Sequence, residues 1–305
     1  MKKVDGEYSK LTGIYFPVLE HAVSQKKPTE LSYWMDDFRH IMGTISHLFG
    51  PLSSIFLAKF ICFDKTKVQG RLNSLQSVVS VPKDSGAPIQ LLHLSFGEVL
   101  VDRSASDKFW IDEPAGHTQL IKDCLLCMDR DLHRDVCHIS DPILKRNEIE
   151  KAVLERHVPP ELRYACRYWI RHLENSGPSA IDWRQIEDFL KSHFLHWLEV
   201  MSLFGRVSET IYNITGLQSL GKVSDVESPW LTDFLHDAKH FVLKNFQIAD
   251  EVFIAQVWCS HPRCRSSGGC LKQSFPLSYA SCHEPSKCGA QNYRRSRAIQ
   301  AQLNQ

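Results

Sequence analysis

Apolar residues recur at three- and four-residue intervals over most of this chain, and strict alternation is rare. Between residues 11 and 23, Leu11, Ile14, Tyr15, Val18, Leu19 and Ala22 share one helical face, with Pro17 expected to kink the helix or to mark its first turn. A Lys-Lys-Pro break at 26–28 follows. Thr29 then stands as the N-cap of a second helix, whose buried stripe is Leu31, Trp34, Phe38, Ile41, Met42, Ile45 and Leu48/Phe49 and which ends near Gly50-Pro51.

Residues 53–61 read as a short helix, and Asp64 caps a longer one with Val68, Leu72, Leu75 and Val78/Val79 on its apolar face. A polar Pro82–Gly86 loop leads into the apolar run Ile89–Leu94, which reads as a strand. Helix, turn, helix, loop and strand is the order of a winged helix. Further amphipathic helices are predicted over Glu113–Leu132, Glu161–Glu174, Asp182–Phe204 and Trp230–Phe246, with 133–143 as a loop. The Asn175-Ser176-Gly177-Pro178 turn makes the helices on either side of it antiparallel neighbours. The fold class expected is mainly α: a winged-helix domain with a small β wing, an α-helical domain, and a disordered C-terminal tail that has lost all periodicity by about Cys259.

Composition adds a contrast between body and tail. The net charge is +1, but from Cys259 onward seven Lys and Arg face Glu284 alone, so the tail carries +6 and the remainder −5. A mildly acidic body gives no reason to expect specific nucleic-acid binding. No apolar stretch approaches the roughly 18 residues of a membrane span, and the first twenty residues hold no secretory h-region. A cytoplasmic protein with no membrane contact and reduced thiols is the expectation.

Five patterns carry possible chemistry. Gly216-Leu217-Gln218-Ser219-Leu220-Gly221-Lys222-Val223 fits G-x-x-x-x-G-K but has Val where a phosphate loop needs Ser or Thr, and no later Walker-B acid follows; a degenerate P-loop NTPase at 216–223 is the third reading of function. Cys259-x-His261-x-x-Cys264-x5-Cys270 and Cys282-His283-x4-Cys288 hold zinc-type ligands at irregular spacing, and Cys124-x-x-Cys127 lies on an apolar helical face, so neither is assigned a metal. His193 and His196 lie near each other on one helix with no third ligand. Lys65, Lys67 and Arg71 near the start of the second helix of the pair make a winged-helix DNA-binding protein the alternative reading.

Taken together, the stretches Pro51–Ser53, Leu75–Pro82, Leu91–Phe96, Val158–Trp169, Phe194–Glu199 and Asp233–Lys239 resemble the region behind the NACHT domain in fungal NACHT/WD-repeat proteins of the STAND class, including vegetative-incompatibility proteins. The resemblance spans roughly residues 11–252. It implies an N-terminal helix after a missing NACHT motor (1–27), a winged-helix-like domain (28–103), a helical domain (104–252) and an unrelated Cys/Arg-rich tail (253–305). It further implies a truncated, non-enzymatic regulatory or interaction fragment without NTPase motor or WD-repeat sensor, with no cofactor of its own, whose partner is another protein or a NACHT motor. Leu92-His93-Leu94 is similar to the winged-helix histidine motif of such ATPases, which implies that His93 would contact an ADP phosphate only where another chain supplies the motor.

Overall fold

Short polar side chains and prolines set the helix starts. Ser53, Asp64, Asp102, Asp112, Asp182 and Ser228 each accept a backbone N–H of the helix they precede, removing one of its unpaired donors. Pro28 and Pro160 instead stand in the first turn, where a missing N–H is harmless. The computed structural model describes residues 4–24, 26–84, 86–139, 144–177, 181–223 and 228–246. The expected disordered tail, with its cysteines and histidines, lies outside the described residues. Among them the protein is mainly helical, with twelve α-helices and a two-stranded sheet.

Helix α1 (Val4–Val23) continues past Pro17, which lies in its interior and not in its first turn. It packs on α5 (Leu94–Val101) and α6 (Arg103–Ser106), with Tyr15 against Phe96 and Phe16 edge-on to Phe109. Helix α2 (Pro28–His47) begins one residue before Thr29, which is therefore not its cap; the preset backbone angle of Pro28 starts the helix, and Lys27 in the cap position makes no side-chain cap bond.

Helix α3 (Ser54–Phe60) follows as expected, but α4 (Lys65–Asn73) is shorter than its apolar pattern suggested: Leu75 and Val78 lie beyond its end, and Val79 opens β1 (Val79–Ser80), which pairs antiparallel with β2 (Gln90–Leu91). The strand expected over Ile89–Leu94 is thus cut short. His93 caps a helix that begins at Leu94, and the pairing ends on the bond from Leu92 N–H to Val78 O.

Helices α7 (Glu113–Asp131) and α9 (Pro160–Asn175) make the most extensive pairing, and α3, α10 (Trp183–Leu203) and α11 (Val207–Val223) pack on α9. Gly177, at φ +81, turns the chain out of α9, and α10 returns so that Trp169 meets both Phe189 and Trp197. Helix α11 is continuous where a loop or short helix was expected, and α12 (Pro229–Lys244) packs on it. Its β-branched residues and two glycines weaken it as an isolated helix, but Val207, Ile214 and Leu217 are buried along one face, and that packing holds it. The short helix α8 (Lys151–His157) leads into α9. Buried side chains form one continuous cluster from Tyr15 on α1 to Val242 on α12.

Candidate functional site

His93 sits where the β1–β2 hairpin hands over to α5. Its Nδ1 accepts the Ser95 backbone N–H at 3.2 Å, so a neutral imidazole must carry its proton on Nε2. The Ser95 hydroxyl, 2.6 Å from the same nitrogen, must then donate to it, and the buried Tyr15 hydroxyl, 2.7 Å from Ser95 Oγ, donates in turn. A one-way chain from α1 therefore orients the ring of this exposed residue and leaves Nε2–H as its donor. Leu92 and Leu94 on either side are 56% and 79% exposed, so the tip presents apolar surface flanking that donor. Sequence reading singled out His93 but missed Tyr15 and Ser95, because nothing in a chain separation of 80 residues marks that contact.

The other candidates are placed differently. Lys67 and Arg71 both turn inward to Asp37 on α2, at 2.6 and 2.9 Å, and also lie over the rings of Phe63 and Trp34. A helix that spends these cations on an internal carboxylate has few left for phosphates. Residues 216–222 lie inside α11, where backbone N–H groups serve helix carbonyls and cannot cradle a phosphate, so the degenerate P-loop is corrected to a helix segment. Gly216 has a packing reason instead: a Cβ there would come within 2.6 Å of Glu174 Oε1 on α9.

Cys124, Cys127 and Cys166 are buried free thiols, all pushed up by burial and so held as inert hydrophobes. His193 pairs with Asp129 at 3.1 Å, while burial pulls His196 down to about 4. Among the described residues no group of three or more side chains is arranged to hold a metal.

Two features lay beyond sequence reading. The first is a buried polar chain joining the connection after α2 to α9 and α7: Phe49 N–H to Tyr164 Oη at 3.2 Å, Tyr164 to His172 Nε2 at 2.7 Å, and His172 Nδ1 to His117 Nδ1 at 2.9 Å. His47 lies beside it, its Nδ1–H donated to Gly43 O at 2.6 Å and its ring 4.9 Å from that of His117. Burial lowers all three histidines, His117 to about 4 and His172 to about 3. The second is a cleft of about 380 Å³ lined by Arg163, Arg167 and Arg206.

No family model matches the chain, and no curated protein or solved structure is significantly similar to it.

Proposed function

We propose that this chain is a non-enzymatic regulatory and interaction unit of the STAND type, working in the cytoplasm with a NACHT motor carried on another polypeptide. In this reading α2, α3, α4 and the β1–β2 hairpin form a winged helix and the helices from α7 onward a helical domain. The observation that carries it is the exposed Leu92-His93-Leu94 tip with its Nε2–H donor fixed by Tyr15 and Ser95. An oriented donor flanked by exposed leucines suits a docking surface that meets an oxyanion, such as the β-phosphate of ADP in the motor.

Inward pairing of Lys67 and Arg71 supports protein packing over DNA reading. Among the described residues no helix is long and apolar enough to cross a membrane.

Two measurements test the proposal. Isothermal titration with Mg-ATP should give no micromolar affinity for the chain alone. Placed behind an intact NACHT motor, His93→Ala should speed ADP release, while lowering the melting temperature of the isolated chain only slightly. Unchanged ADP release together with a strongly destabilised isolated variant would make His93 a structural residue and remove the reading.

A further inference from the structure

The cleft between the first turns of α9, the end of α10 and the Gly50–Leu52 connection has no part in the proposed docking tip. Three guanidinium groups line it, and Glu209 is the carboxylate bonded to any of them: it takes Arg167 through two nitrogens at 3.0 and 3.3 Å, and it also holds Arg206. Among the described residues Arg163 makes no ion pair and its buried Nε has no hydrogen-bond partner; its Cζ lies 5.3 Å from the Phe204 ring centroid. Three cations against one carboxylate leave an excess of two positive charges at one small site.

Two of the guanidinium groups rest against rings: Arg163 Cζ lies 5.3 Å from the Phe204 centroid and Arg167 Cζ 4.9 Å from that of Tyr168, contacts that limit their freedom. Arg206 is placed by the close of α10. There Gly205 adopts φ +66, and the bonds Gly205 N–H to Ser202 O and Arg206 N–H to Met201 O lock the turn. A side chain at Gly205 would also collide with the Arg146 guanidinium, 1.9 Å from the position a Cβ would take. The walls add apolar surface from Pro51, Tyr168 and Phe204, which are at least partly exposed.

We propose that this cleft binds a small organic phosphate monoester, its phosphoryl group between Arg163 and Arg206 and its body against the apolar wall. Three features support the class. A monoester carries about −1.5 to −2 at neutral pH, which matches the local charge excess. Guanidinium forks bind phosphate through paired N–H donors. The cleft, at about 380 Å³, falls at the small end of ligand pockets and is far too small for a nucleic-acid duplex.

The test uses the full chain with phenyl phosphate, inorganic phosphate and phthalate as probes, read by titration calorimetry and thermal melting. Phenyl phosphate should bind with a dissociation constant below about 1 mM and raise the melting temperature, and inorganic phosphate should bind about tenfold more weakly for want of the body contacts. Arg163→Gln and Arg206→Gln should each weaken phenyl phosphate about tenfold or more, and Arg163→Lys, which keeps the charge but loses the fork, should weaken it nearly as much with the melting temperature of the free protein kept. His93→Ala should leave binding unchanged, which separates this site from the docking tip. No binding at about 1 mM, equal binding by parent and arginine variants, loss of binding in His93→Ala, or preference for phthalate over phenyl phosphate would each overturn the assignment.

Discussion

The Nδ1 atoms of His117 on α7 and His172 on α9 lie 2.9 Å apart in the core, so one of them must be protonated and the other bare. Phe49 N–H already donates to the Tyr164 oxygen, which frees the Tyr164 proton for His172 Nε2. His172 then donates from Nδ1 to His117. Every bond of the chain is satisfied only while both rings are neutral, since a second proton on either ring sets N–H against N–H or strands the Tyr164 proton.

This relationship sets an acid limb of stability. Burial holds His117 at about 4 and His172 at about 3, both below their ordinary 6.5, so the unfolded chain takes up protons first as pH falls. The stabilisation is whole above pH 6.5 and is lost progressively toward pH 4. Urea unfolding at intervals across this window should show a loss on the order of a few kcal/mol, and His172→Gln should have a shallower slope. A parent profile that stays flat from neutrality to pH 4 would contradict the neutral-ring arrangement.

Glu199 should act with the opposite sign. Its carboxylate is buried on α10, accepts Val136 N–H at 3.0 Å and Asp135 N–H at 3.3 Å, and is pushed up to about 7 by burial despite those bonds. A raised carboxyl favours the fold below its ordinary 4.5, and that stabilisation fades as pH rises through 7. Glu199→Gln removes this ionisation, so its stability relative to the parent should improve between pH 5 and 8, by about 1–3 kcal/mol. A difference that does not change over that range would mean that Glu199 does not titrate there.

Asp37→Ala should loosen the seat of α4 on α2. The aspartate is 7% exposed and holds both Lys67 and Arg71, so its loss leaves two cations without their anion, one of them three-quarters buried. A loss of about 2–3 kcal/mol is expected by chemical unfolding, well above the few tenths typical of an exposed pair. If Asp37→Ala loses no more than Asp36→Ala, whose partner Arg39 is exposed at the surface, the inward pairing has no structural weight.

Two fully buried tryptophans offer a matched comparison. Trp197 Nε1 donates to Cys166 O at 2.7 Å, whereas Trp169 Nε1 is buried without a partner. Replacement by Phe removes similar volume at both, but a hydrogen bond only at 197. Trp197→Phe should therefore be more destabilising than Trp169→Phe by about 1 kcal/mol, and the reverse order in urea midpoints would count against this packing.

Helix positions were legible because their causes are local. The stripes through Trp34, Phe38 and Ile41, through Trp169 and Leu173, and through Phe194 and Trp197 all face the core as their spacing requires. Asp64 and Asp182 cap the helices they precede for the same reason, since a cap bond spans only two or three residues. Where neighbours could not decide, the reading slipped. Residues 216–223 fitted a degenerate phosphate loop by their glycines and lysine, and only the shelf offered by α9 and α12 makes them part of a helix.

His93 shows the same division within one residue. Its candidacy came from Leu92-His93-Leu94 in the sequence, but its tautomer and Nε2–H donor depend on Tyr15, 78 positions earlier, brought to Ser95 by the docking of α1 on α5. Arg163 and Arg167 lie four apart on α9, but Arg206 follows α10, and His117 and His172 come from α7 and α9, so no spacing in the sequence joins either set. What the sequence by itself determined is the helical periodicity, half of the twelve helix starts and the faces those helices bury, all of them interactions within a few residues. Only the tertiary structure decided which charges neutralise one another, which protons are confined and where positive charge is left over, because electrostatic and hydrogen-bond partners act across space without regard to separation along the chain.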